Sequence, residues 1–188
     1  MNVVSVIGLD LSMTSSGICS IRMHPAISTV VDTYAVKSKP APIAERTANV
    51  RARRLSEIVE QIKNEIQWNR PTLAVVESPV PNARMKSAML LERGAIYWST
   101  LMLLDRYGVE IVECSPRERA LFATGDGAAD KMSVARTMLA EHDRKFATDD
   151  ECDAFVLAQI GLGLVGQEQM LTHRQNVVAN LAAKRGRS

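Results

Sequence analysis

The fold of this chain is decided near its start, by the stretch VVSVIGLDLSMTSSGICSIRM at residues 3–23. The first eight of these residues contain the run of β-branched side chains that is typical of a buried strand, and this strand ends at Asp10. The turn residues SMTSSG follow, and ICSIRM continues as a second strand. The stretch therefore predicts two strands of a sheet, with a carboxylate at the end of the first.

Further strands and helices alternate along the rest of the chain. Three more short strands are predicted from TVVDTYAV, TLAVVESP and VEIVEC, and the second of these carries Glu77 at its end. Helices are predicted over 44–68, where apolar residues recur at three- and four-residue spacing, over 84–106 and 131–142, and from ATDDE onward. This order predicts a mixed five-stranded α/β sheet with helices on both faces.

The composition predicts one globular domain in a reducing compartment. The chain of 188 residues has room for one substantial core, and its net charge of +2 is too small to indicate nucleic-acid binding by itself. Three cysteines without CxxC spacing argue against a disulfide framework and against a zinc site. The chain has no signal-like start and no apolar run of about 18 residues, so we expect a cytoplasmic protein without a membrane segment.

Acidic residues crowd the start of the last core helix, in ATDDECDAF at residues 147–155. Helix capping explains one or two of them, because exposed N–H groups favour acids in a first turn and Thr148 with Glu151 fits a capping box. Asp153 lies one turn further in, against residues that have the pattern of a core. Asp150 and Asp153 are three residues apart and therefore project from one face of the helix.

Four carboxylates are candidates for one site. Asp10 and Glu77 end strands with the pattern of central strands, and sites of open α/β sheets gather at such ends. If Asp150 and Asp153 join them, their mutual repulsion opposes folding unless cations bind. All-carboxylate ligands favour Mg²⁺ or Mn²⁺ over zinc, and two such ions can activate a water and stabilise the leaving oxygen of a phosphoryl displacement. The pattern predicts a two-metal hydrolytic site.

Several motifs, in order along the chain, resemble those of RuvC-type Holliday-junction resolvases and their shorter phage-borne relatives. They are GLDLSMTSSG at 8–17, VVESP at 75–79, ERGAI at 92–96, DKMSVARTML at 130–139 and DDECDAFVLAQI at 149–160. The resemblance implies a ribonuclease H-like nuclease domain at 1–166, followed by a polar and basic extension at 167–188. The extension ends in KRGRS and is interpreted as a phosphate-binding arm or a solubilising tail.

The same resemblance implies the residues and partners of the activity. Four acids would be catalytic and would ligate two Mg²⁺ or Mn²⁺ ions: Asp10, Glu77, Asp150 and Asp153. The predicted DNA contacts are Arg84, Lys86, Arg93 and Lys131, of which Lys131 would also act in catalysis at the scissile phosphate. The implied activity is Mg²⁺-dependent cutting of two opposed strands of a four-way DNA junction by a homodimer, without a nucleotide cofactor.

Several alternatives stay open at this point. Asp149 also shares a helix face with Asp153, and only the three-residue spacing of the family selects Asp150. The loop after Glu77 reads PVPNARMK and lacks the aromatic residue common there in such resolvases, which makes a less selective flap- or fork-trimming nuclease the main rival. A branched-DNA-binding protein without catalysis is a second rival. A sugar-kinase or actin-like ATPase is disfavoured, because it needs a second domain that 188 residues cannot hold.

Overall fold

The computed structural model describes residues 3–24, 29–39, 42–80, 87–166 and 170–185, which form a five-stranded sheet and its flanking helices. The strands are β1 (Val4–Asp10), β2 (Ser15–Met23), β3 (Thr29–Lys37), β4 (Leu73–Glu77) and β5 (Glu110–Cys114). The α-helices are α1 (Ala48–Asn69), α2 (Ser87–Arg106), α3 (Pro116–Thr124), α4 (Lys131–His142), α5 (Asp149–Leu164) and α6 (Thr172–Arg185), and a 3-10 turn spans Ile43–Glu45.

The sheet has the order β3-β2-β1-β4-β5. Strands β1, β2 and β3 are antiparallel neighbours, whereas β4 lies parallel to both β1 and β5. The predicted mixed five-stranded sheet is therefore confirmed. In its parallel half Leu9 pairs with Val76, so the residues that follow them, Asp10 and Glu77, end neighbouring strands side by side.

Two apolar cores lie on opposite faces of the sheet, as the sequence predicts. One packs α1 and α2 against β1, and the other surrounds α5 with α3, α4 and α6. Helix α5 is buried continuously over residues 152–163, and a helix that is apolar on all sides is suited to such an interior position. No helix in the described ranges is both long and apolar enough to cross a membrane.

Two glycines let α5 approach the sheet closely. A Cβ atom on Gly8 would overlap the backbone of Ala154, and one on Gly17 would overlap the backbone of Asp150. Gly17 also pairs with Asp10 across the antiparallel ladder between β1 and β2. The first turns of α5 therefore lie against the strand end that carries Asp10.

Most of the predicted elements are present, with shifts at their ends. The helix predicted over 131–142 has the predicted bounds. The one predicted over 44–68 begins at Ala48, because the Thr47 hydroxyl caps it by accepting a hydrogen bond from the N–H of Val50. The helix predicted over 84–106 is described from Ser87 onward. Helix α3 is absent from the sequence-based prediction.

Helix α6 contributes to the same core as α5. Its Val177 and Leu181 are buried, and its Arg174 is buried as well. The Arg174 guanidinium donates to the backbone carbonyl of Phe122 at 3.0 Å and pairs with Glu141. The division of the chain at residue 166 into a nuclease domain and an extension stays a prediction.

Candidate active site

An open cleft of about 520 Å³ lies at the C-terminal ends of β1 and β4. Its walls contain all four of the predicted carboxylates: Asp10, Glu77, Asp150 and Asp153. They also contain five cationic side chains: Arg46, Arg54, Arg93, Arg119 and Lys131. The fold therefore brings together acidic residues that are far apart in the chain, and it places cationic side chains around them.

The strand geometry directs two of the acids toward α5. Leu9 and Val76 belong to the core on the α1–α2 side of the sheet. Because successive side chains of a strand point to opposite faces, Asp10 and Glu77 point to the α5 side. Both carboxylates are partly buried at the floor of the cleft.

Helix α5 begins with the capping interactions that the sequence predicts, in a slightly different form. The Thr148 hydroxyl accepts a hydrogen bond from the N–H of Glu151 at 3.2 Å. The Glu151 carboxylate accepts one from the N–H of Ala147 at 2.9 Å, one residue before the partner that a capping box uses. Capping thus accounts for Glu151, but it does not account for the aspartates of this turn.

The three aspartates of this turn point to different places. Asp153 is only 2% exposed and lies in the cleft, and Asp150 lines the cleft with partial exposure. Asp149 is exposed and lines a separate cavity beside α4, together with Met132 and Cys152. Of the two competing residues, Asp150 is therefore the one that shares the cleft with Asp153.

Arg119 occupies the centre of the site, and it was not predicted from the sequence. Its guanidinium donates to Glu77 through Nε and to Asp153 through one terminal nitrogen, and the residue is only 6% exposed. It lies on α3, the unpredicted helix. A signal for that helix is present in the sequence: Ser115, Pro116 and Glu118 form a capping box with proline in the first turn.

Lys131 lies at the mouth of the cleft, at the first residue of α4. Its Nζ atom is 3.3 Å from Oδ2 of Asp153 and 3.9 Å from Oδ1 of Asp150. About half of its side chain is exposed, so it contacts the acids from the solvent side, whereas Arg119 contacts them from within. The sequence predicts Lys131 at this position, and the structure places it there.

The crowding of charges shifts the acid–base equilibria of the site. Burial, reinforced by the Glu77 and Asp153 carboxylates, raises the pKa of Asp10 to about 7. Burial also raises the pKa of Asp153, although Arg119 and Lys131 oppose that rise. For Lys131 burial lowers the pKa, but the neighbouring Asp153 and Asp10 outweigh it, so that its pKa is raised. Asp10 therefore changes its charge near neutral pH.

The acids share one cleft, but they are not yet grouped as a metal site. Among the residues that the structure describes, no three Asp, Glu, His or Cys side chains are arranged to hold a metal ion. Arg119 and Lys131 partly neutralise the acids. The sequence predicts that divalent cations alone offset the repulsion among these carboxylates. The donor set itself consists of carboxylates, which suits Mg²⁺ or Mn²⁺ once Glu77 and Asp153 are released.

The predicted DNA contacts divide into two groups. Arg93 and Lys131 line the cleft, together with Arg46 and Arg54, which were not predicted as contacts. Arg54 also donates to the backbone carbonyl of Met13 at 2.7 Å and so supports the loop after β1. The other two predicted contacts, Arg84 and Lys86, lie outside the described residues.

Curated relatives support the resemblance found in the sequence. The crossover junction endodeoxyribonuclease RuvC of Anaeromyxobacter sp. (strain K) is 29% identical over 153 residues, which cover 81% of this chain and 77% of the relative. RuvC of Anaeromyxobacter dehalogenans (strain 2CP-C) is 28% identical over the same length. The resemblance to RuvC is confirmed. No protein-family model matches this RuvC-like chain.

Solved structures give the same result for the fold. Thermus thermophilus RuvC, solved in complex with a Holliday junction substrate, superposes with a TM-score of 0.65 at 17% identity, covering 89% of this chain and 99% of that one. The yeast mitochondrial Holliday junction resolvase Ydc2 superposes with a TM-score of 0.56 at 11% identity, covering 97% and 83%. The predicted ribonuclease H-like fold is therefore confirmed.

Proposed function

We propose that this RuvC-like protein is a metal-dependent, structure-selective DNA endonuclease that resolves four-way junctions by paired phosphodiester hydrolysis. Its place would be DNA recombination and repair, or phage DNA processing, in the cytoplasm of the cell or host. The observation that carries the proposal is the single cleft that collects four carboxylates from β1, β4 and α5. The names of the relatives, RuvC and Holliday junction resolvase, supply the substrate class.

The proposed metal ligands are the acids of the cleft: Asp10, Glu77, Asp150 and Asp153. They would hold two Mg²⁺ or Mn²⁺ ions per site, which is consistent with an all-oxygen donor set at the end of a sheet. When bound, such a pair of ions supplies an activated water and stabilises the leaving oxygen of the phosphodiester. Asp10 has to be ionised to serve as a ligand, and a bound divalent ion would itself favour the ionised form.

The cationic residues of the cleft would act on the phosphate. Lys131 is half exposed at the mouth, within 4 Å of two of the acids, so its ammonium group can meet an incoming scissile phosphate without losing its contact with Asp153. A cation at that position offsets negative charge that develops in the transition state. Arg93 lines the same cleft from α2 and would bind the DNA backbone.

Two sites are needed to cut two opposed strands, so we propose that the active form is a homodimer. The apolar stripe of α2 divides into two parts. Ile96 and Leu104 are buried in the core, whereas Leu91, Trp98 and Met102 are 74%, 63% and 65% exposed. The exposed residues are seven and four positions apart, which puts them on one face of the helix. This face is the proposed dimer contact.

The proposal is tested with synthetic DNA of defined shape. Four-way junction, flap and linear duplex substrates are incubated with the protein in Mg²⁺, in Mn²⁺ or in chelator. We expect paired nicks in the junction that require the divalent ion, and we expect Asp153→Asn to abolish cutting while junction binding in Ca²⁺ persists. Equal cutting of flaps would establish the trimming nuclease instead. Tight junction binding by the wild type without cutting would establish a binding protein.

A further inference from the structure

Two of the proposed metal ligands are already bound to a cation of the protein itself. The Arg119 guanidinium donates to both Glu77 and Asp153. The two acids come from β4 and α5, so this one side chain bridges the sheet and the helix across the cleft. A divalent ion between Glu77 and Asp153 would compete with the guanidinium for these carboxylates, because Arg119 already contacts one oxygen of each and would lie close to an ion of like charge.

Arg119 is buried and is held by charged partners. The residue is 6% exposed, and Asp153 is 2% exposed, so neither charge is screened by bulk water. Burial lowers the pKa of Arg119, but Asp153 and Glu77 outweigh it and keep the guanidinium charged. Lys131 reaches the other oxygen of Asp153 at 3.3 Å. Both oxygens of Asp153 are thus bound to cations of the protein.

A second cavity adjoins Arg119 on the side away from the acids. It has a volume of about 200 Å³, and Arg119 and Lys131 line both this cavity and the cleft. The remaining walls come from the start of α3, from the loop at 127–129 and from Val134 of α4. None of the four acids lines this cavity, so Arg119 lies between the cleft and a space that contains no carboxylate of the site.

We propose that Arg119 is a built-in counter-cation that holds Glu77 and Asp153 together in the metal-free protein and leaves them when a divalent ion binds. This inference rests on the proposed function, because it concerns the same carboxylates. Arg119 stabilises the empty site and competes with the metal for its ligands. The affinity of the site for divalent ions is therefore set partly by the free energy needed to displace the guanidinium.

The test is the binding of metal to protein without DNA, measured by calorimetry with Ca²⁺ and with Mn²⁺. We expect Arg119→Gln to bind either ion about tenfold more tightly than the wild type, because two charge-assisted hydrogen bonds no longer compete for the ligands. Arg117→Gln is the matched control. It removes the same charge from an exposed residue of the same helix, which lines the second cavity but not the cleft, and its affinity should stay within about twofold of the wild type.

The outcomes separate this inference from the proposed function. Tighter binding by Arg119→Gln alone supports the competition. Equal or weaker binding than in the wild type overturns it and leaves the metal site standing, and so does an equal gain in Arg117→Gln. If neither the wild type nor Arg119→Gln binds either ion, the metal-dependent function and the inference both fail.

A measurement on the wild type covers the case in which Arg119→Gln does not fold. The arginine Nε–H signals of ¹⁵N-labelled protein are followed by NMR while Ca²⁺ is added. A buried Nε–H that donates to a carboxylate exchanges slowly with water, and we expect one such signal to lose its protection as the ion binds. The same protected signal in saturating Ca²⁺ would show that the guanidinium stays in place, and the inference would be wrong.

Discussion

Asp10 illustrates how burial and like charges act together on one side chain. Its carboxylate ends β1 beside Glu77, on the face of the sheet against which α5 packs. Burial is the largest cause of its raised pKa, and the Glu77 and Asp153 carboxylates add to it. The metal-free fold therefore favours the neutral form of Asp10, whereas a metal ligand has to be charged.

The first prediction concerns the pH dependence of metal-free stability. The pKa of Asp10 is about 7 in the folded protein against 3.8 in the unfolded chain, so the contribution of Asp10 to the free energy of unfolding is complete below pH 4 and is lost as pH rises through about 7. We expect Asp10→Asn to match the wild type near pH 4 and to exceed it by up to about 4 kcal/mol at pH 8, measured by urea unfolding in chelator. A difference independent of pH would contradict the assigned cause.

At the level of residues, the sequence predicts the acids of the cleft better than its bases. Asp10, Glu77 and Asp153 follow from their positions near the ends of elements, because strand ends and helix starts are where backbone geometry gathers side chains. The choice of Asp150 over Asp149 came only from the motif spacing of the family that the chain resembles. Arg119 could not be found in this way, since it lies inside a short helix and its partners are distant in the chain. Only the three-dimensional contact reveals its role as the partner of two acids.

Among the elements, α5 determines the site because of how closely it approaches the sheet. Gly17 is the narrowest point: a side chain there would collide with the backbone of Asp150 and approach the Cβ atom of Ala154 to 3.2 Å. By contrast, a Cβ atom added to Gly94 on α2 would meet no other part of the described structure within 4 Å. These two glycines offer a matched pair of substitutions.

The second prediction compares Gly17→Ala with Gly94→Ala. We expect Gly17→Ala to destabilise the protein by roughly 1–3 kcal/mol and to weaken Ca²⁺ binding, because it pushes the start of α5 away from Asp10. Gly94→Ala should leave Ca²⁺ binding unchanged, because a Cβ atom there meets no other part of the described structure and the residue is not in the cleft. Thermal unfolding and calorimetry provide both measurements. An unchanged Ca²⁺ affinity in Gly17→Ala would show that the site does not depend on this contact.

The third prediction concerns the attachment of α6. Arg174 is buried with Glu141 and stacks over the Phe122 ring at 5.1 Å, whereas Lys184 on the same helix makes an exposed pair with Glu118. We expect Arg174→Ala to cost about 2–3 kcal/mol, because it removes the buried packing of the Arg174 side chain and leaves the Phe122 carbonyl without its donor. Lys184→Ala should cost about 1 kcal/mol or less. Urea unfolding distinguishes them, and similar losses in both variants would argue against the buried anchor.

The elements that the sequence predicts are those with a clear period or clear boundaries. Strands β1 and β4 have β-branched runs that stop at an acid, and α4 begins after the N-cap Asp130. Helix α3 was missed because nine residues give too little periodicity, and because the face that it buries includes the charged residue Arg119. The extent of α6 was also not predictable, since it has few apolar residues and these become buried only through contacts with α3 and α5.

At the scale of the whole molecule, paired cutting requires two clefts held at a fixed distance. The exposed face of α2 is the apolar surface that we assign to the second copy, with Trp98 at its middle. The same helix also contributes Arg93 and Met89 to the cleft. A contact through α2 would therefore bring each active site close to the junction between the copies.

The fourth prediction tests this assembly. We expect Trp98→Glu to convert a dimer into a monomer in analytical ultracentrifugation, because a central aromatic residue of an interface contributes about 2 kcal/mol or more and a buried charge opposes contact. The variant should keep its fold in circular dichroism, since the Trp98 side chain is outside the core. It should nick single strands of a junction without paired cuts. Dimers that persist in Trp98→Glu would place the interface elsewhere.

The continuous burial of α5 has a consequence for local unfolding and for tolerance to substitution. The helix that carries Asp153 forms the centre of one core, so its amide hydrogens should exchange with solvent only when the entire domain opens. We therefore do not expect this helix to open locally while the rest of the domain stays folded. Substitutions that the fold tolerates are therefore expected outside this helix, at exposed positions such as Arg117 of α3.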